Sequence, residues 1–531
     1  MLVWLALVGP PALAAPRLPD ALVGAGRPAR VVVEATGDDT DWLVAVGCDV
    51  EAHSAVDGAV VIQATCPPVA LARLPEAPGA RRLRLPAIAS PKGSEGAVVT
   101  EGYDLTMATD WHAAGITGEH VHVAILDVGF EGYEGLLGTE LPSTVDTDFS
   151  FGDPTSSRHG AAVAEIVHDF APDASIELVT FTTDVEFACA LQKLVDEGVD
   201  VVNGSVGFDD VWTADGSSLM SLAVTAARNA GVIYVAAAGN ENGHYVIGPL
   251  RGGLADDVTL NGRWATRVAT GGAFPNVILR WSEPFGAAAV DLDLSVLNAA
   301  GPDIGGVCGR SSTVQAGDGD PAETASTYQC TPDAEGYLYA KITRKDATQS
   351  VDGLTAWLYD PSGVVPEQAA TSDDLTLPAD AAGAISIGAY DADNTVPDWS
   401  SRGPTDDGRA KPDLAAPTAV STATTGPLAF DGTSASAPHA AGLAALWLDA
   451  THDWGDPEGF RAFAVENAVD LAPAGLDNAS GAGALHADTL PARVCGCSSE
   501  GGAGDTWGLG AVLLALGRRG GLSGRGRRRR S

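Results

Sequence analysis

At 531 residues the chain exceeds the usual size of one compact domain and points to about three or four structural units. Its 45% hydrophobic content allows a sizeable core and excludes wholesale disorder. A formal charge of −38 excludes a nucleic-acid binder, because a polyanion would be repelled and few counterions released; seven of the positive charges fall between Arg518 and Arg530, so the body is more acidic still.

In chain order, residues 1–15 are apolar and end in small residues with an A-x-A pattern at Ala12–Ala14, which predicts a signal peptide and hence export. Residues 16–99 predict a small α+β unit followed by a linker: RVVVEA and AVVIQAT are strand-like, and PAIASPKGSEG is rich in Pro, Ser and Gly. From residue 100 the pattern changes. VHVAILD, SIELVTF, VDVVNGS and VIYVAAAG are short apolar runs suited to buried parallel strands, and HGAAVAEIVHDF, DVEFACALQKLVDEG and SSLMSLAVTAARNAG between them are amphipathic helices. This alternation predicts a doubly wound, mostly parallel α/β domain, over 100–254 and again over 371–488. Between them, 255–370 carries the period-2 segments VILRW, VDLDLSVL, YLYAKIT and LTAWLYD, which predict an inserted all-β sandwich.

Residues 489–531 close the chain with a Cys/Gly spacer, an apolar stretch from Trp507 to Leu516 too short to span a bilayer, and an arginine cluster. This tail resembles a tripartite bacterial sorting signal of the MYXO-CTERM kind and implies transient membrane attachment at the cell surface. Export permits disulfides, and Cys48–Cys66 and Cys308–Cys330 are the expected pairs because each lies inside one small unit; Cys189, in a helical pattern, is expected as a buried thiol.

Four segments carry chemistry. AILDVGF places Asp127 at the carboxyl end of a buried strand, and SSRHGAAVAEIV places His159 at the mouth of a helix, before a glycine that permits close approach. YVAAAGNEN places Asn240 just past another strand, and FDGTSASAPHAAGLAAL places Ser434 where a Gly-rich turn becomes a helix. A serine hydroxyl needs a base within hydrogen-bond reach to act as a nucleophile. His159 is suited to that role, because an imidazole exchanges protons near neutral pH. Asp127 would fix its tautomer, and the Asn240 amide with the Ser434 N–H would receive the negative charge that develops on the carbonyl oxygen.

Together these segments resemble the subtilisin-like serine proteases. The Asp, His, Ser order along the chain is theirs. DVG matches the aspartate box, HGAAVA the histidine box and GTSASAPHAAG the serine box, with SSRGPTDDGRAKPDLAAP as the segment before it. The departures are small: Ala161 stands where threonine is common, and Ala435 where methionine is. The resemblance covers about 100–250 and 375–488. It implies that Asn240 is the oxyanion donor and that Ser205, Val206 and Gly207 line the pocket for the residue before the scissile bond. It implies further that 16–99 is an inhibitory propeptide, with a permanent accessory domain as the alternative. Catalysis would require no cofactor, structural calcium is admitted without assigned ligands, and polypeptides would be the substrates of a monomer. A maturase dedicated to one partner, or a surface binder working through the sandwich, are the competing functions.

Overall fold

The computed structural model describes residues 18–491 except 20–21, 23–27, 38–39, 57–58, 87–88, 92–99, 209–211, 269–275, 301–302, 362 and 364–367. The expected signal peptide and the tail from 492 onward, with Cys495 and Cys497, lie outside the described residues.

Near the N-terminus come β1 (Ala29–Ala35), α1 (Thr40–Ala45), β2 (Asp49–Val56), β3 (Ala59–Cys66), α2 (Pro68–Leu71) and β4 (Ala80–Arg84). The strands pair antiparallel in the order β2-β3-β1-β4. Side chains alternate across a strand, so Val31, Val33, Ile62 and Ala64 pack with Leu43, Leu71 and Leu74 on one face. Val32, Ala52 and Val61 on the other face enter the core of the neighbouring α/β layer. A Cys48–Cys66 disulfide joins the start of β2 to the end of β3. A short strand, β5 (Ala89–Pro91), follows.

The α/β layer begins with α3 (Gly102–Leu105), α4 (Ala108–Ala113), β6 (His122–Asp127), β7 (Asp146–Asp148), α5 (His159–Phe170), β8 (Ser175–Thr180) and α6 (Asp184–Glu197). It continues with β9 (Val201–Gly204), β10 (Val206–Phe208), α7 (Leu219–Asn229) and β11 (Ile233–Ala237). The limits of α6 are written locally: Thr183 and Glu186 form a capping box at its start, and Gly198 with φ 80° ends it.

An antiparallel layer then intervenes: β12 (Tyr245–Gly252), β13 (Asp257–Leu260), β14 (Thr266–Val268), β15 (Asn276–Trp281), β16 (Leu292–Ala300), β17 (Asp303–Ser311), β18 (Ala322–Ser326), β19 (Leu338–Arg344) and β20 (Thr355–Tyr359). The first half of β12 pairs with β20 and its last residues pair with β13, so this strand passes from one sheet to the other at Pro249–Leu250. Both sheets enclose an apolar core around Val277, Leu279, Trp281, Leu294, Val296 and Leu358, with a Cys308–Cys330 disulfide in the same unit. The layer starts at Tyr245, upstream of the boundary expected at 255. Pro249 stands where the strand changes partner, an irregular position at which a missing N–H is tolerated.

The α/β layer resumes with β21 (Ala384–Tyr390), β22 (Leu414–Pro417), β23 (Val420–Thr422), β24 (Gly426–Phe430), α8 (Thr433–Thr451) and α9 (Pro457–Asn467). Its seven strands run β22-β21-β11-β9-β6-β8-β7, every pair parallel. One face is covered by α5 and α8 and the other by α6 and α7. Burial on both faces explains why the strand sequences are continuously apolar rather than alternating. The chain reverses direction across the sheet at β6, whose neighbours are β8 and β9, and a doubly wound sheet opens a crevice at that point. Among the described residues, no helix is long and apolar enough to cross a membrane.

Candidate active site

Asp127 ends β6 at that crevice and is fully buried. His159 opens α5, and Gly160 lets the helix come close: a Cβ at Gly160 would lie 2.5 Å from Phe130, 2.7 Å from the Gly129 carbonyl and 2.8 Å from the Asp127 Cβ. His159 Nδ1 thus reaches Asp127 at 3.0 Å from Oδ1 and 2.9 Å from Oδ2. Facing a carboxylate, Nδ1 carries the proton and donates it, which leaves Nε2 as the basic nitrogen. The Val128 N–H donates to the same Oδ1 at 2.8 Å. Phe430 packs edge-on against the imidazole, 5.5 Å between ring centres.

Ser434 is the second residue of α8, after Gly432, whose φ of 101° turns the chain into the helix. Pro438 stands four residues on and has no N–H, so the Ser434 carbonyl lacks its helical donor. Ser205 Oγ donates to that carbonyl at 3.0 Å instead, and Asn203 Nδ2 donates to Ser205 Oγ at 2.9 Å. Ser434 Oγ donates to the Ser205 carbonyl at 2.8 Å. His159 Nε2 is buried with no hydrogen-bond partner among the described residues. The Asp–His bond is therefore formed in this structure and the His–Ser bond is not.

Asn240 follows β11. Its Oδ1 accepts from the Thr433 N–H at 2.9 Å and from Thr433 Oγ1 at 3.1 Å. With the oxygen held by the residue before Ser434, the two amide hydrogens of Nδ2 remain available for a ligand. Val206 and Gly207 lie in β10, which pairs antiparallel with β5: Val206 opposite Pro91, Gly207 opposite Ser90 and Phe208 opposite Ala89. A segment of the same chain thus lies extended along these residues, its carboxyl end toward Ser205 and Ser434.

Sequence reasoning missed Asn203, Thr433, Thr376 and Glu241. Asn203 carried a signal, a polar residue inside an apolar strand, and Thr433 sits within the GTS turn. Glu241 accepts the Asn240 N–H at 2.6 Å and the Ser401 hydroxyl at 3.2 Å. Thr376, far along the chain after the inserted strands, had no signal. His439, on the same helix as Ser434, is fully buried and bonds Thr100 Oγ1 at 2.7 Å through Nε2, so it anchors the start of the α/β layer rather than joining the site. Burial pushes its pKa down to about 4. Cys189 is half-buried rather than fully enclosed; its thiol donates to the His53 carbonyl at 2.8 Å, and burial pushes it up to about 12. The acidic run near 318–323 is drawn apart: Asp320 pairs with Arg82 and Glu323 lies buried in β18. No group of three or more His, Cys, Asp or Glu side chains is assembled as a metal site among the described residues.

Residues 118–278 and 363–483, together more than half of the chain, match the model of the peptidase S8 or subtilase family. Among solved structures, the CspB protease of Clostridium perfringens superposes with a TM-score of 0.52 at 20% identity, over 72% of this chain and 97% of that one. The likeness is one of fold. The motif match, the parallel sheet and the Asp127–His159 pair at its crevice agree with the family model: the chain belongs to the subtilase family.

Proposed function

We propose that the protein is a serine endopeptidase that hydrolyses peptide bonds within extended polypeptides through an acyl-enzyme, with Asp127, His159 and Ser434 as its triad. The pairing of β5 with β10 carries this reading, because an extended chain already lies along Val206 and Gly207 and points its carboxyl end at the nucleophile.

In this mechanism Ser434 Oγ turns from the Ser205 carbonyl to His159 Nε2. It passes its proton there as it attacks the scissile carbonyl carbon. Catalytic hydrogen bonds are commonly incomplete without substrate, so the observed serine conformation is compatible with the role. The tetrahedral oxyanion accepts from Asn240 Nδ2 and from the Ser434 N–H at the start of α8. Collapse expels the amine, which takes the proton from His159, and water then repeats the sequence on the ester. Asp127 stabilises the imidazolium in both halves. No cofactor enters these steps.

Residues 16–99 act as a propeptide-like unit whose β5 strand occupies the cleft. The two disulfides support an exported protein, held at the surface by the C-terminal tail. The test is fluorophosphonate labelling and casein digestion, comparing wild type with Ser434→Ala. Labelling and digestion should both appear, after brief trypsin treatment if the N-terminal unit blocks the cleft, and both should vanish in the variant. A wild type that stays unlabelled after trypsin contradicts the proposal.

A further inference from the structure

Ser434 Oγ bonds the Ser205 carbonyl, so the Ser205 end of β10 marks the position of the scissile bond. Asn240 marks the opposite side. The side chain just before the scissile bond must therefore enter the slot between Val206–Phe208 and Ala238–Asn240. Each wall offers a glycine to that slot, Gly207 and Gly239.

One side chain meets both. A Cβ on Gly207 would lie 2.1 Å from Thr376 Oγ1, 2.7 Å from its Cγ2 and 2.9 Å from its Cβ. A Cβ on Gly239 would lie 3.1 Å from Thr376 Cβ, 2.8 Å from Ser401 Oγ and 2.3 Å from Glu241 Oε2. Thr376 is fixed in place. It is 4% exposed, its N–H donates to the Ala238 carbonyl at 2.9 Å, and its hydroxyl donates to the Phe208 carbonyl at 3.4 Å. The next residue is tied in turn to the first wall, with the Leu377 carbonyl accepting from the Phe208 N–H at 3.0 Å. Thr376 thus bridges the two walls, through its N–H to Ala238 on one side and through its hydroxyl and the next residue's carbonyl to Phe208 on the other.

We infer that Thr376 closes the primary specificity pocket directly behind Gly207 and Gly239, so that only small side chains, of the size of Gly, Ala or Ser, are accepted before the scissile bond. This rests on the peptidase reading and names its substrate class. An aromatic or long aliphatic side chain would need the volume that Thr376 fills, and close-packed interiors do not yield that volume freely. The carboxylate behind Gly239 does not make the pocket selective for lysine or arginine. Glu241 is committed to the Asn240 N–H and the Ser401 hydroxyl.

The experiment uses the full chain, with active sites counted by fluorophosphonate labelling. The substrates are peptides that differ only at the residue before the cleaved bond: Ala, Ser, Leu, Phe and Lys. Wild type should cleave the Ala and Ser peptides with kcat/KM at least tenfold above the others. Thr376→Gly should raise the Phe-to-Ala and Leu-to-Ala ratios by tenfold or more. Thr376→Val, which keeps the volume and loses the hydroxyl, should leave those ratios as in wild type. If Thr376→Gly fails to fold, Thr376→Ala should move the ratios the same way by a smaller factor. A wild type that prefers Phe, Leu or Lys, or a Thr376→Gly or Thr376→Ala enzyme with unchanged ratios, overturns the inference while leaving the peptidase reading intact. Absence of labelling in wild type even after brief trypsin treatment overturns both.

Discussion

Asn240 shows how one side chain acquires a direction. Its carbonyl oxygen is taken by the N–H and hydroxyl of Thr433, so its amide nitrogen is the end left for a substrate oxygen. Asn240→Ala should lower kcat by about 10²–10³, with KM little changed, because the lost bond strengthens only in the transition state. Steady-state kinetics on an alanine-containing peptide would show it, and an equal loss in KM alone would remove Asn240 from the oxyanion site. His439 gives a prediction of another kind. Its folded pKa of about 4 lies below the ordinary imidazole value of 6.5, so the unfolded chain takes up the proton first as pH falls. The neutral ring's contribution is whole above pH 6.5 and is lost as pH falls through about 4, worth at most about 3 kcal/mol. Between pH 7.5 and 4.5 wild type should therefore lose more stability than His439→Gln in paired denaturation curves; parallel losses would refute the assignment. These residues differ in how far the sequence announces them. Asp127, His159, Asn240 and Ser434 are legible because each needs a fixed neighbour, a strand end or a glycine, within a few positions. Thr376 is not, because its role depends on two glycines that approach it only through the fold.

At the scale of elements, the helices and parallel strands of the α/β layer are written in apolar periodicity and local caps, and they stand where that pattern places them. The seating of the N-terminal sheet on α6 is written nowhere locally. Gln63 of β3 donates to Glu186 at 3.0 Å, while Thr183, the N-cap, donates to Gln63 at 2.5 Å. Arg84, at the end of β4, pairs with the fully buried Asp184 and with Glu34 at 2.7 Å. Those carboxylates hold the Arg84 charge firmly despite its burial. Removing one member of a buried pair leaves the other unpaired, at a cost of about 3–5 kcal/mol. Arg84→Met should therefore loosen the N-terminal unit, so that it is degraded at lower trypsin concentration and fluorophosphonate labelling starts sooner. The double variant Arg84→Met, Asp184→Leu should recover much of the wild-type resistance. Unchanged resistance in the single variant would show that the pair does not hold the unit.

On the scale of the whole molecule, the inserted strands separate Asn240 from Ser434 in sequence and yet lean on the loops around the pocket. Arg280 of β15 pairs with Asp406, lies 4.0 Å from the Trp357 ring centre of β20, and both it and Asp406 are buried. Trp357 Nε1 donates to Asp373 at 3.2 Å, and Asp406 also accepts the Ala214 N–H at 2.8 Å. Asp373 lies three residues before Thr376 in the chain, so this junction couples the insert to the segment that floors the pocket. The period-2 pattern announces an insert but says nothing of this docking, because residues 214, 280, 357, 373 and 406 meet only after both units have folded. Burial and the neighbouring Asp406 push Asp373 up to about 8, and Arg280 opposes that rise. A carboxyl whose folded pKa exceeds its unfolded value of 3.8 contributes stability below that value and loses it as pH rises through about 8. Arg280→Leu removes the countercharge, so two carboxylates face each other in a dry junction and ionisation of Asp373 becomes costlier. The variant should be less stable than wild type at pH 6 and more so at pH 9, by a further amount of about 1–2 kcal/mol. Its Phe-to-Ala cleavage ratio should also rise as the floor segment loosens. A destabilisation of equal size at both pH values would mean that Asp373 does not feel Arg280, and that the insert meets the pocket through packing alone.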